Sequence, residues 1–274
     1  MLSSRQIAQS CTDSGVRKAA LPTLHMLILG FFAGMFIALA GAASAVASAA
    51  IENPSAARLI SSLVFPCGLA MVVLTGSELF TGNSLMILSV LEKKITVRSL
   101  LKNYLLVYLG NLAGSLFVAL FFVCSHTPDF GGGILAQSLI DTAAMKTSLP
   151  LSDALLRAVL CNILVCIAVW MATGAQGAPG KILALYPPIV LFVLGGFEHC
   201  VANMFYIPAG LLIQAEYGLA APGLSWGSFV FSNLLPVTLG NLIGGMLAVG
   251  CTCWFVYLSR RPANGEIKNE YFKR

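Results

Sequence analysis

Two short segments combine residue types that an apolar chain ordinarily avoids. Gly76-Ser-Glu78-Leu-Phe-Thr-Gly-Asn83 and Gly196-Phe-Glu198-His-Cys-Val-Ala-Asn203 both read G-x-E-x-x-x-x-N, and a shift of 120 residues lays one on the other. Each sits in the middle of an over-long apolar run. Glu78, Glu198 and His199 are the ionisable residues deep within such runs. A charge there is expensive and marks a functional site by default. The unperturbed pKa of histidine, about 6.5, lets His199 gain or lose a proton near neutrality, so it can offer an anion a hydrogen bond and a proton. The glutamates also have a plainer reading, as acceptors for backbone N–H groups set free where a helix breaks. His199 has no counterpart in the first segment, where Leu79 stands.

The elements that must hold these residues are membrane helices. The chain has 274 residues, 58% hydrophobic and only 10% charged, with mean hydropathy +0.86. A soluble domain carries about 25% charged residues, so this one lacks the polar surface to face water. Apolar stretches able to cross a ~30 Å hydrocarbon core lie at about 24–50, 59–90, 103–124, 154–173, 182–213 and 229–258. The first comes after Arg5, Arg17 and Lys18 but is too long for a signal peptide, so it reads as a retained span.

Charge placement gives the orientation. Of the 16 Lys and Arg, 13 fall in the two tails and in the connections 91–102 and 174–182. Arg58, Lys146 and Arg157 lie in the alternate connections. That asymmetry puts both termini on the cytoplasmic side and argues against nucleic acid as the partner behind the net charge of +5.

The segments 59–90 and 182–213 exceed the ~20 residues a straight helix needs and contain Pro66, Gly76, Gly82, Pro187, Pro188, Gly195 and Gly196. Two half-helices with an irregular stretch between them fit better, because irregular backbone at membrane depth is tolerated only inside protein or along a cavity. The half-helix amino ends would present free N–H groups to an anion. A second echo, GNLAGS (110–115) against GNLIGG (240–245), makes a duplication. Each half has three spans, so the second crosses in the opposite sense.

The resulting expectation is an all-α integral membrane fold with six transmembrane helices in two inverted three-helix repeats. The plan is aquaporin-like, with the second and fifth helices broken. A single transmembrane domain would comprise a cytoplasmic segment 1–23, repeats 24–125 and 154–258, and a cytoplasmic tail 259–274.

Other residues admit two readings. Asn162, an isolated amide in "LCNILVC", serves either helix–helix hydrogen bonding or the orientation of His199 or a solute. Lys146 is a solvated loop charge or a lure for anions near the outer mouth. Gly110, Gly114, Gly240, Gly244 and Gly245 read as small-residue helix contacts. The eight cysteines read as small apolar fillers rather than disulfides. No metal or cofactor is expected.

At "GSELFTGN" (76–83), "KNYLLVYLGNLAGS" (102–115), "LCNILVCIAVWMA" (160–172), "GFEHCVANM" (196–204) and "SNLLPVTLGNLIGG" (232–245), the chain resembles the formate/nitrite transporter family. These are bacterial pentameric channels for small monovalent anions. The resemblance spans about residues 20–258 and implies a homopentamer in the bacterial cytoplasmic (inner) membrane, each protomer with its own pore. It places the central histidine on His199, the loop threonine on Thr81, the paired asparagine on Asn162 and the vestibule lysine on Lys146. Glu198 joins them in the pore relay. Phe65, Leu69 and Phe192 become apolar constrictions, and Leu79 and Phe80 a gate in a mobile first loop. Glu78, Asn83 and Asn203 are left as structural supports of the breaks. Cys200 comes after the histidine where the family pattern suggests serine.

The mechanism this implies is protonation of a weak-acid anion by His199 at the narrowest point, which removes the cost of carrying a bare charge through a dry ring. Formate, nitrite and hydrosulfide all fit. An aquaporin-like neutral-solute facilitator would carry paired N-P-A boxes and no titratable histidine. An intramembrane metalloprotease would want H-E-x-x-H, whereas the order here is Glu-His.

Overall fold

Ten helices carry the chain in the computed structural model, which describes residues 1–259. The tail charges Arg260, Arg261, Lys268, Lys273 and Arg274 lie outside the described residues. Six helical spans are long and apolar enough to cross a membrane, and no strand occurs among the described residues. The chain is a multi-pass membrane protein.

In chain order the helices are α1 (Ser4–Ala19), α2 (Thr23–Ser48), α3 (Pro54–Thr75) and α4 (Gly82–Leu91), and α5 (Val97–Cys124). The second half repeats the pattern with α6 (Ile134–Thr147), α7 (Leu151–Gly174), α8 (Gly177–Leu194), α9 (Cys200–Tyr217) and α10 (Trp226–Tyr257). The connection 125–153 is therefore largely helical. Its helix α6 stands before α7 as α1 stands before α2.

Local chemistry sets the ends of the broken spans. Asn53 caps α3, its side-chain oxygen accepting from the backbone N–H groups of Ser55 and Ala56, and Pro54 opens the first turn, where its missing N–H costs nothing. The helix stops at Gly76, whose φ of +72° is a left-handed conformation that an L side chain resists. In the second half Gly196 takes φ +66° two residues after α8 ends. Both spans thus break just before the glutamate of each repeated segment. The half-helices beyond the two breaks differ: α4 opens as a 3-10 turn at Gly82–Met86, whereas α9 is a full α-helix.

The first and third spans of each half cross closely because glycine replaces side chains at the contact. A Cβ on Gly114 would overlap the Phe31 carbonyl oxygen, and one on Gly244 the Val159 carbonyl oxygen. Gly110 lies against Leu27 and Gly30, Gly240 against Leu155. These obstacles are backbone atoms and cannot rotate away. Gly114→Val is therefore expected to lower stability by about 3 kcal/mol, the upper range for overpacking, read as a fall in detergent unfolding temperature. An unchanged unfolding temperature would remove the close-crossing argument.

Helix α1 lies along the end of the bundle. Leu2 N–H donates to the Gly174 carbonyl at 3.0 Å, and Ser89 Oγ donates to the Thr12 carbonyl at 2.7 Å. Lys94 pairs with Asp13 at 2.9 Å and holds its carboxyl below the usual carboxylate range. That pair is solvent-exposed and worth little by itself, so the buried contacts of Ile7, Ala8 and Cys11 anchor the helix.

Candidate functional site

Each break is held by one asparagine from the third span of its own repeat. Asn111 Nδ2 donates to the Gly30 carbonyl at 2.8 Å and to the Glu78 carbonyl at 2.9 Å. Its Oδ1 accepts from Phe80 N–H at 2.9 Å. Asn241 repeats this: Nδ2 donates to the Ala158 carbonyl (2.8 Å) and the Glu198 carbonyl (2.9 Å), and Oδ1 accepts from Cys200 N–H (2.9 Å). The loop N–H groups of Glu78 and Glu198 donate to Leu29 and Arg157 carbonyls. Groups that a helix break would orphan are thereby satisfied inside the protein.

The glutamate carboxylates do something other than the sequence suggested. Among the described residues neither accepts a hydrogen bond from a backbone N–H. Glu78 pairs with Lys18 at 2.9 Å and accepts from Asn83 Nδ2 at 2.8 Å, and Asn83 also donates to Asn103 Oδ1 at 2.8 Å. Glu198 pairs with Lys146 at 2.8 Å, accepts from Asn203 Nδ2 at 2.7 Å and from Asn233 Nδ2 at 3.3 Å, and Asn203 donates to Asn233 Oδ1 at 2.7 Å. The reason is occupancy. The loop N–H groups are taken by asparagine Oδ1 at Phe80 and Cys200 and by backbone carbonyls at Glu78 and Glu198, leaving the carboxylates to the lysines at the ends of α1 and α6.

Lys146 is accordingly no loop charge. It sits in the last turn of α6, its side chain is 12% exposed, and Tyr206 lies under the ammonium with its ring centre 5.8 Å away. The two networks also differ at Asn83 and Asn203. Lys18 also donates to Asn83 Oδ1 at 2.7 Å, whereas Asn203 Oδ1 is buried without a partner among the described residues.

The two loops meet at a single hydrogen bond. Thr81 Oγ1 lies 2.9 Å from His199 Nε2, both side chains buried. His199 is also the N-cap of α9, and its Nδ1 accepts from Ala202 N–H at 3.0 Å. A backbone N–H can only donate, so Nδ1 carries the lone pair and, in the neutral ring, Nε2 carries the proton. Nε2–H then donates to Thr81, leaving the threonine hydroxyl proton free to turn toward a third group. The amino end of α9 is largely occupied as well: of its first three N–H groups, Asn241 takes Cys200 and His199 takes Ala202. At this helix end two of the three N–H groups expected to be free for an anion are taken.

Apolar rings flank this junction. Phe65 and Phe192 meet edge-on with centroids 5.4 Å apart, and Phe192 lies 5.8 Å from the His199 ring. Leu69 packs in the same buried cluster. Leu79 and Phe80 are each 3% exposed, and Phe80 is wedged between Tyr104 and Tyr108. Among the described residues Asn162 makes no hydrogen bond to His199. Its Nδ2 donates to the Thr81 carbonyl (3.3 Å), Ser84 Oγ (3.1 Å) and the Asn241 carbonyl (2.6 Å), so it ties the first loop and α10 to α7 and reaches the histidine through Thr81 and Asn241.

Lys18, Asn103, Asn111, Asn233 and Asn241 belong to the same constellation and were missed as site residues. The signal was present: Asn111 and Asn241 come directly after the glycines of the GNLAGS and GNLIGG echoes.

The formate/nitrite transporter family description matches residues 5–255. The chain belongs to the formate/nitrite transporter family. Other members include an uncharacterised transporter, YrhG, of Bacillus subtilis, 38% identical over 96% of this chain and 96% of that protein. The formate channel FocA of Escherichia coli K12 is 34% identical over 92% and 93%. A solved pentameric formate channel with formate bound superposes with a TM-score of 0.76 at 33% identity, covering 86% of this chain and 98% of that one. Membership in this family of channels and transporters sets aside an intramembrane enzyme.

Proposed function

We propose that this protein carries small monovalent weak-acid anions, formate or nitrite first among them, across the bacterial cytoplasmic membrane. It would do so as a homopentamer with one pore per protomer and both termini inside. Hydrosulfide shares the size, charge and conjugate-acid chemistry that the pore would read. The observation carrying this reading is the Thr81–His199 hydrogen bond at 2.9 Å, buried between two loops that enter from opposite repeats.

In this reading an anion reaching the junction accepts a hydrogen bond from the Thr81 hydroxyl, which His199 backs through Nε2–H. Adding a proton at Nδ1 turns that atom from acceptor to donor and breaks its bond to Ala202 N–H, an N-cap loss worth roughly 1 kcal/mol. The imidazolium then passes its Nε2 proton to Thr81 Oγ1 as the threonine hydroxyl proton passes to the anion. The solute moves on as a neutral acid, and the ring is left neutral with its proton on Nδ1. Losing that proton and regaining one at Nε2 restores the Ala202 bond. Neutrality matters at the Phe65–Leu69–Phe192 ring, because a bare charge among buried apolar side chains costs several kcal/mol. Glu198 would steady the loop, and Leu79 and Phe80 would line the first gate.

The test is formate uptake into proteoliposomes across pH. Uptake is expected to fall as pH rises, because fewer imidazoles hold the second proton. His199→Phe is expected to flatten that profile while leaving a folded protein. A wild-type pH profile in that variant would overturn the relay, and a panel of formate, nitrite and hydrosulfide at two pH values would rank the cargo.

A further inference from the structure

The lysine expected to gather anions is already neutralised. Lys146 is spent on Glu198 and Lys18 on Glu78, so neither presents a whole charge to an approaching solute. Two other cations sit where a gathering charge is needed.

On α3 the residues Arg58, Ser62, Phe65 and Leu69 have a 4-3-4 spacing, which places them on one helix face. Ser62, Phe65 and Leu69 are buried and Arg58, at the outer end of that stripe, is exposed. On α8 the residues Lys181, Leu185, Pro188 and Phe192 have the same 4-3-4 spacing. Leu185, Pro188 and Phe192 are buried and Lys181 is half-buried. These are the faces that bring Phe65 and Phe192 together in the apolar ring. The repeats run oppositely, so the two cations top their stripes at opposite ends of the bundle. The 120-residue shift does not relate them: it carries Arg58 onto Ala178.

The surroundings agree at both ends. The guanidinium of Arg58 lies over Gly196, where an added Cβ would meet Nη1 at 3.3 Å, two residues from Glu198 in the lip of the second loop. Lys181 lines a 530 Å³ cavity with Arg17, Lys18, Glu78, Leu69 and Leu79, three cations against one carboxylate at the entrance to the first loop. Among the described residues neither Arg58 nor Lys181 makes an ion pair. Arg58 stands about 10 Å along the helix from Phe65, close to the ~10 Å Debye length at 0.1 M salt.

We propose that Arg58 and Lys181 are the residues that concentrate the anion at the two mouths of the pore, and that Lys18 and Lys146 hold the loops instead. The proposal rests on the anion-carrying function above. Unpaired charges that water can reach raise the local anion concentration and lose their effect as salt screens them, whereas a residue that only braces a loop has no salt signature.

The experiment measures initial formate uptake at low substrate in proteoliposomes, at roughly 10 mM and 300 mM ionic strength. Wild type, Arg58→Gln, Lys181→Gln, the double variant and Arg58→Lys/Lys181→Arg are compared, each checked for folding by detergent unfolding temperature. The double glutamine variant is expected to be about 5-fold slower than wild type in low salt, with the ratio shrinking as salt rises. The charge-conserving double variant should recover the wild-type salt dependence. Should the double glutamine variant keep that dependence, or the charge-conserving one lose it, the assignment is overturned. A wild-type protein that passes no anion at either ionic strength would instead remove the function itself.

Discussion

Lys146→Met is expected to destabilise the protein by about 3–5 kcal/mol, the range for breaking a buried ion pair from one side. Glu198 is 2% exposed at its side chain and Lys146 12%. Without the ammonium, a carboxylate would remain in the membrane interior with only the Asn203 and Asn233 amides to solvate it. The cost comes from the stranded charge, so neutralising the partner should return much of it. Lys146→Met combined with Glu198→Gln is expected to regain more than half of the loss. Lys18→Met should cost less, because Lys18 is 27% exposed and water can reach the site it vacates. Chemical unfolding in mixed micelles measures all three. A Lys146→Met protein within about 1 kcal/mol of wild type would mean that the pair behaves as a surface bridge and that the loop is held elsewhere.

Asn241→Leu is expected to cost about 3–9 kcal/mol, from three groups orphaned at 1–3 kcal/mol each, and to cut anion flux by roughly tenfold or more, as displaced groups in a tight site do. One side chain satisfies the Ala158 carbonyl, the Glu198 carbonyl and Cys200 N–H. Its loss frees the peptides on both sides of His199, so the ring loses its fixed distance to Thr81. Asn111→Leu removes the matching three bonds from the first loop and should act similarly, since Thr81 comes directly after Phe80. Unfolding in detergent together with proteoliposome uptake separates the two effects. If Asn241→Leu retains both stability and flux, the asparagine is not what sets the loop.

The membrane architecture and the place of the two breaks arise from local composition. The runs 59–90 and 182–213 exceed what one straight span needs, Gly76 and Gly196 supply the left-handed turns that end their first helices, and a glutamate in hydrocarbon requires a partner wherever the chain folds. Those are short-range demands, legible in the residues themselves. The duplication was legible too, because the repeated segments retain their spacing.

Which lysines and amides meet the two loops was not legible, since it depends on how far each connection carries the chain. The equivalences differ along the repeat: Lys18 to Lys146 is 128 residues, Glu78 to Glu198 is 120, Asn111 to Asn241 is 130. A single shift therefore misses the lysine and asparagine partners, although each is ordinary in composition. The lysines lie 60 and 52 residues from their glutamates, and only packing of α1 and α6 beside the breaks turns them inward. The tautomer of His199 is likewise a tertiary outcome. A histidine can titrate by its chemistry, but the Ala202 N–H at the start of α9 decides where the proton of the neutral ring sits, because a donor fixed by the helix holds the lone pair at Nδ1 and leaves the proton on Nε2.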